Sequence, residues 1–282
     1  MRPGEWPPAP EPLPAPVPDN HAHLEWPAGD DPKSVEQRLD EAAVVGIDRV
    51  LQVGCELDSA RWTAAAVADN PRLLGGVALH PNEAPLHAAG THESGVGYDA
   101  AFAEIAELAR GERIRTVSET GLDYFRTGDD GRDAQKRAFR DHIALAKELG
   151  LAMQIHDRDA HADVIEVLER DGAPERTVFH CFSGDAAMAR LCADRGWYLS
   201  FAGTVTFKNA HPLRAALAVT PLGRVMVETD SPFLTPHPHR GAPNAPYLAA
   251  LTMREIARVQ QVDLAAACAA VSATTEEVYG PW

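Results

Sequence analysis

A (β/α)8 TIM barrel, an α/β architecture with its metal site at the C-terminal ends of the strands, is what this sequence predicts. Three observations carry that expectation. The chain has 282 residues, close to the roughly 250 of one such barrel. Eight short strand-like runs occur, most followed by a helical pattern. Polar, metal-competent residues fall at the ends of those runs, where barrel active sites are built.

Taken in order, the runs are "PAPVPDNHAH", "IDRVLQVG", "LLGGVALH", "IRTVSET", "LAMQIH", "TVFHCF", "WYLSFAG" and "RVMVETD". Between the fourth and fifth, "AQKRAFRDHIALAKELG" places Phe139, Ile143 and Ala146 at helical spacing, with Gly150 as the stop. "HADVIEVLERDG" repeats the pattern with Val164, Ile165 and Leu168 and stops at Gly172. Strands alternating with helices argue for a parallel sheet. No second domain is indicated, which favours a barrel over an open sheet. The expected organisation is a proline-rich tail at 1–14 and a barrel over 15–282. Pro16 and Pro18 remove two backbone donors from the same side of the first strand. Pairing there should concentrate from Val17 to His21, with residues 1 to about 12 outside the barrel, ordered where Trp6 or Leu13 finds an apolar groove.

Composition narrows the function. Apolar residues make up 45% of the chain, enough for a sizeable core, and the formal net charge is −15. That charge disfavours a broad basic nucleic-acid face, so any phosphate binding must be local or helped by metal ions. The four cysteines form no CxxC pair, and reduced thiols in a cytoplasmic protein are expected. The N-terminus lacks the apolar stretch and cleavage site of a signal peptide, and no run is long enough to span a membrane.

His21 and His23 end the first strand, His80 the third, Glu119 the fourth and His156 the fifth. His180 lies in the sixth, and Asp230 ends the eighth. Residues two apart share a strand face, so His21 and His23 can present two imidazoles to one ion. Asp19, lower on that face, could orient a histidine. Glu228 shares a face with Asp230 and is expected to point inward, partnered by a ligand histidine or a buried basic residue. Lone histidines such as His87, His92, His142 and His161 are expected as surface or helix residues. Six ligands (His21, His23, Glu119, His156, His180 and Asp230) exceed one four-coordinate ion, so two divalent ions are expected, with Glu119 as the natural bridge. Nitrogen and oxygen donors without thiolate suit Zn, Mn, Ni or Mg, and the histidines favour a transition metal over Mg.

The motifs "DNHAHLE", "ETGLDYF", "IHDRDA", "HCFSG" and "ETDSPFLTP" together resemble those of the TatD family of metal-dependent deoxyribonucleases, from Asp19 to the C-terminus. The resemblance implies that His21, His23 and Asp230 hold one ion, that His156 and His180 hold the other, and that Glu119 bridges them. Two departures bear on substrate preference: Asn82 in "ALHPNEA" and Ala245 in "HRGAPNAP", where the family usually has His and Glu. The implied activity is hydrolysis of DNA phosphodiester bonds at ends or in single strands. Asp230 would serve as the base. Substrate contacts are expected from His80, Tyr124, Arg126, Lys208 and Arg240, with Tyr124 and Phe125 as candidate base-stacking rings. A hydrolase of small amides, lactones or phosphoesters is the alternative, since one barrel hosts many chemistries. A metal-stabilised binding protein is the third reading. The protein is expected to act as a monomer, on DNA and not on membranes.

Overall fold

The computed structural model describes residues 4–282; the first three residues of the expected tail lie outside the described residues. The eight strands are β1 (Val17–Ala22), β2 (Ile47–Gly54), β3 (Leu73–Val77), β4 (Ile114–Asp123), β5 (Ala152–Arg158), β6 (Thr177–Phe179), β7 (Tyr198–Phe201) and β8 (Val225–Val227). They form one sheet in the order β1 to β8, matching the eight runs of the sequence. The helices are α1 (Val35–Val44), α2 (Leu57–Asp69), α3 (Ala84–Ala89), α4 (Tyr98–Leu108), α5 (Asp129–Leu149), α6 (His161–Asp171), α7 (Ala186–Asp194), α8 (His211–Val219), α9 (Ala249–Gln260) and α10 (Leu264–Tyr279). This alternation is the expected (β/α)8 class. Among the described residues, no helix is long and apolar enough to cross a membrane.

The chain divides into two compact units, one formed by Met1–Gln52 with Cys181–Trp282 and the other by Val53–His180. In the first, β1 pairs with β2 at Val17, Asp19 and Ala22, with shifts of register between them. On its other side β1 is bonded only late: Asp230 N–H donates to His21 O at 2.9 Å and His23 N–H to Ser231 O at 2.8 Å. That asymmetry is what the missing donors of Pro16 and Pro18 require. The tail is tied down more firmly than the sequence suggested. Tyr247 donates its hydroxyl to Pro7 O at 2.6 Å, and Arg254 reaches the carbonyls of Glu11 and Pro12. The reason is that a proline-rich segment leaves carbonyls without internal partners, and α9 and the turn before it supply the donors.

In the second unit, α5 starts five residues earlier than the periodic stretch that announced it and ends, as expected, at Gly150, whose φ of 64° suits a left-handed stop. Phe139, Ile143 and Ala146 are buried; full burial of one large apolar side chain contributes about 1.5–3 kcal/mol. In α6 the buried face is Val164, Val167 and Leu168, and Ile165 is only half-buried. The ladder between β4 and β5 runs from Thr116 to Asp123, with its register shift between Val117 and Thr120. Such an irregularity re-aims a side chain, and Glu119 lies inside it. Gly121 follows because nothing larger fits: a Cβ there would stand 2.1 Å from the carbonyl oxygen of His156.

Candidate metal centre

Each unit contributes a group of converging donors. In the first unit they are His21, His23 and Asp230. His21 and His23 leave the same face of β1 and its continuation, and their Nε2 atoms stand 3.3 Å apart. Asp230 Oδ1 lies 3.5 Å from His23 Nε2 and 3.8 Å from His21 Nε2. Donors about 2.0–2.1 Å from a tetrahedral ion are separated by roughly 3.3 Å, so this triangle fits one face of such a shell. Asp230 has φ 53°, a left-handed conformation uncommon for a residue with a side chain. Asn244 holds that turn, donating to Thr229 O at 3.0 Å and to Phe233 O.

The two supporting carboxylates accept from backbone N–H groups and hydroxyls. Asp19 was expected to orient an imidazole; instead it accepts from the N–H groups of His21 (3.3 Å) and Thr229 (2.9 Å) and from the Thr229 hydroxyl (2.5 Å). The physical reason is its complete burial among strand-end donors, which take its lone pairs. Glu228 is buried, as expected from its shared face with Asp230. Its partners include the N–H of Cys181 at 2.8 Å and the hydroxyl of Ser200 at 2.5 Å, so it fixes the turn that follows His180.

In the second unit three imidazoles surround one oxygen of Glu119. His156 Nδ1 lies 2.5 Å from Oε1, His180 Nε2 3.0 Å and His80 Nε2 3.4 Å. Burial alone would raise the Glu119 carboxyl, but His180, His80 and His156 outweigh it and hold the group well below the carboxylate range. For His156, burial acts downward, while Glu119 and Asp123 act upward and push its pKa up to about 9. Proton positions sort the roles. His156 Nε2 faces Asp123 Oδ2 at 3.1 Å while Nδ1 faces Glu119; with its pKa raised the ring carries both protons, and loss of the Nδ1 proton to a bound cation would make that atom a ligand while Nε2–H stays on Asp123. His80 Nδ1 accepts the N–H of Asn82 at 3.0 Å. Its proton therefore sits on Nε2, which makes it a donor toward Glu119 or a substrate oxygen. His80 was expected as a substrate contact; the structure brings it into the same donor group as Glu119 and His156.

Asp123 is the residue that motif reading passed over, though it stands in "ETGLDYF". It is buried, which raises it, yet hydrogen bonds from His156, the Arg126 N–H and Asn82 hold it well below the usual range. Asn82, a departure from the family pattern, thus braces, at 3.1 Å, the carboxylate that His156 faces. Gln135 closes the same turn, accepting from Asp123 N–H and donating to Asp123 O.

The expected substrate contacts divide. Tyr124 donates its hydroxyl to Asp163 at 2.6 Å and carries the Arg132 guanidinium 4.2 Å over its ring. Phe125 is exposed, with Arg158 3.8 Å over its ring. Each ring thus has one face occupied by a guanidinium, and Phe125 remains 63% exposed. Arg126 and Lys208 are exposed, and Arg240 is exposed beside the Phe207 ring at 4.4 Å. Of the histidines expected at the surface or in helices, His87 and His142 are buried in α3 and α5, His92 stacks on His87, and His161 pairs with Asp157.

The family model described as TatD related DNase matches residues 18–280. The metal-dependent hydrolase TatD of Mycobacterium tuberculosis is 42% identical over 245 residues, covering 86% of this chain and 89% of its own. The metal-dependent hydrolase YabD of Bacillus subtilis is 35% identical over 245 residues, covering 86% and 91%. The crystal structure of YjjV, a TatD homologue from Escherichia coli, superposes with a TM-score of 0.83 over 93% of this chain and 97% of that one, at 24% identity, which shows a shared fold. By the family model over nearly the whole chain and by its identity to these relatives, the chain belongs to the TatD family of metal-dependent hydrolases.

Proposed function

We propose that this protein is a deoxyribonuclease that hydrolyses phosphodiester bonds at DNA ends or in single strands. The observation that carries the reading is the donor triangle of His21, His23 and Asp230, whose separations of 3.3, 3.5 and 3.8 Å suit one ion. His156 Nδ1 and His180 Nε2 would hold a second, and the family resemblance assigns Glu119 to both. Divalent ions bound there would lower the pKa of a coordinated water and polarise the phosphoryl oxygen. Asp230 would accept the proton of the attacking water, which approaches phosphorus opposite the leaving oxygen. His80 would donate its Nε2 proton to a substrate oxygen. Arg126, Lys208 and Arg240 form no ion pair with a carboxylate among the described residues; in a chain of net charge −15 such unpaired cations are suited to phosphate. The same reading has it act as a cytoplasmic monomer.

The acidic charge favours a second reading, hydrolysis of small amides, lactones or phosphoesters. One panel separates the two. Metal-reconstituted protein is offered labelled single-stranded DNA, a chromogenic phosphodiester and a lactone. Metal-dependent cleavage of the DNA is expected. Turnover of the lactone alone would replace the nuclease reading with the second one.

A further inference from the structure

An acidic nuclease with few cations needs another grip on its substrate. Stacking on nucleobases supplies one that does not depend on charge. The two rings that the sequence offered for it, Tyr124 and Phe125, each have a guanidinium over the ring. Phe233 has no such cation; it is 49% exposed, against 63% for Phe125. A lone exposed phenylalanine needs no explanation; this one is built into the metal site. Its N–H donates to Asp230 O at 2.8 Å, and its carbonyl accepts from Asn244, so its backbone is pinned to a ligand. Its ring crosses that of His23 at 6.2 Å and 68°, and that of Trp26 at 5.5 Å and 70°. Trp26 in turn lies flat on His23 at 4.5 Å and 23°. The result is a three-ring corner of which one member belongs to the donor triangle and another is half open to solvent.

We infer that Phe233, backed by Trp26, is the stacking platform for the base of the nucleotide whose phosphate sits at the ion of His21, His23 and Asp230. This rests on the nuclease reading for the identity of the ligand. The Phe233 ring centroid lies 6.2 Å from that of His23, which puts a base stacked on its exposed side next to the donors of the first unit. Stacking reads no hydrogen-bond pattern, so the platform accepts any base and favours purines for their larger faces.

The test is equilibrium binding to the manganese-loaded enzyme by calorimetry, with 2′-deoxyadenosine 5′-monophosphate against 2-deoxyribose 5-phosphate. The wild-type protein should prefer the base-bearing ligand by about 5- to 150-fold, the range of one stacked base. Phe233→Ala and Phe233→Leu should both bring that ratio toward one, since leucine keeps apolar bulk but has no π face, and Phe233→Trp should retain it. Metal content measured on each variant shows whether the site is intact. A wild-type ratio near one, binding of neither ligand, or a ratio unchanged in the Ala variant would each overturn the platform. Cleavage of single-stranded DNA is assayed in parallel. Base preference without cleavage removes the nuclease reading and keeps the platform; cleavage without base preference does the reverse.

Discussion

The two donor groups are built on different plans. In the first unit, His21 and His23 come from one strand and its continuation, Asp230 from a left-handed turn, and the supports are backbone hydrogen bonds to Asp19 and Asn244. In the second, every donor comes from a different strand or strand end, and the supports are side chains: Asp123 on His156, Asn82 on Asp123, Gln135 on the turn. The first group is positioned by the chain's own path, the second by a polar network in which each member fixes the next. Such networks are sensitive to the loss of any member. Substitutions should therefore cost metal affinity in the second unit and folding stability in the first.

The largest effect is expected at Glu119, around which three imidazoles converge. Glu119→Gln should lower turnover by more than about 100-fold, beyond what loss of an outer partner costs, and should lower metal content more than His21→Ala or His23→Ala. Retention of two ions at an ordinary rate would end the bridging assignment.

The second unit should also be the acid-sensitive one. His142 accepts Leu79 N–H at Nε2 (3.1 Å) and donates from Nδ1 to Ala138 O (2.7 Å), next to the residue that carries His80. Burial lowers its pKa to about 4, so the folded protein keeps it neutral where the unfolded chain takes a proton. Its contribution is complete above the unfolded value of about 6.5 and is lost as pH falls toward 4, for a total of about 3 kcal/mol. Denaturation midpoints against pH, compared between wild type and His142→Gln, should diverge only in that window. A difference that does not vary with pH would mean that His142 titrates normally when folded.

Asp123→Asn tests the network directly. With the acceptor of His156 Nε2–H weakened, metal affinity should fall about 10- to 100-fold, as read by competition with a chromophoric chelator, while Asp19→Asn should lower the melting temperature with a smaller effect on affinity. Equal losses of affinity would erase the contrast between the two units.

The smallest effects concern the periphery. Removing residues 2–10 takes from the buried Tyr247 hydroxyl its acceptor, Pro7 O, at a cost of about 1–3 kcal/mol, and should leave metal content intact because no ligand lies there. DNA affinity should fall only shallowly with salt, with a slope equivalent to roughly one to three phosphate contacts. A slope of six or more would reveal a cationic surface that the unpaired residues Arg126, Lys208 and Arg240 do not provide.

Much of this molecule is legible without coordinates. Alternation of period two placed His21 and His23 on one face, proline chemistry foretold where β1 would pair, and the helical repeat of Phe139, Ile143 and Ala146 marked α5 and its glycine stop. These are local properties, set by sterics and periodicity within a few residues, so the sequence by itself determines them. The tautomer of His80, the hold of Asp123, the hydrogen-bond partners of Asp19 and Glu228, and the guanidinium contacts of Tyr124 and Phe125 were decided only by tertiary structure. Each depends on a hydrogen bond or ring contact whose partner is chosen by the approach of elements remote in the chain. His156 meets Asp123 across 33 positions, and Thr229 meets Asp19 across 210; no local pattern records which lone pair is taken when such segments close on one another.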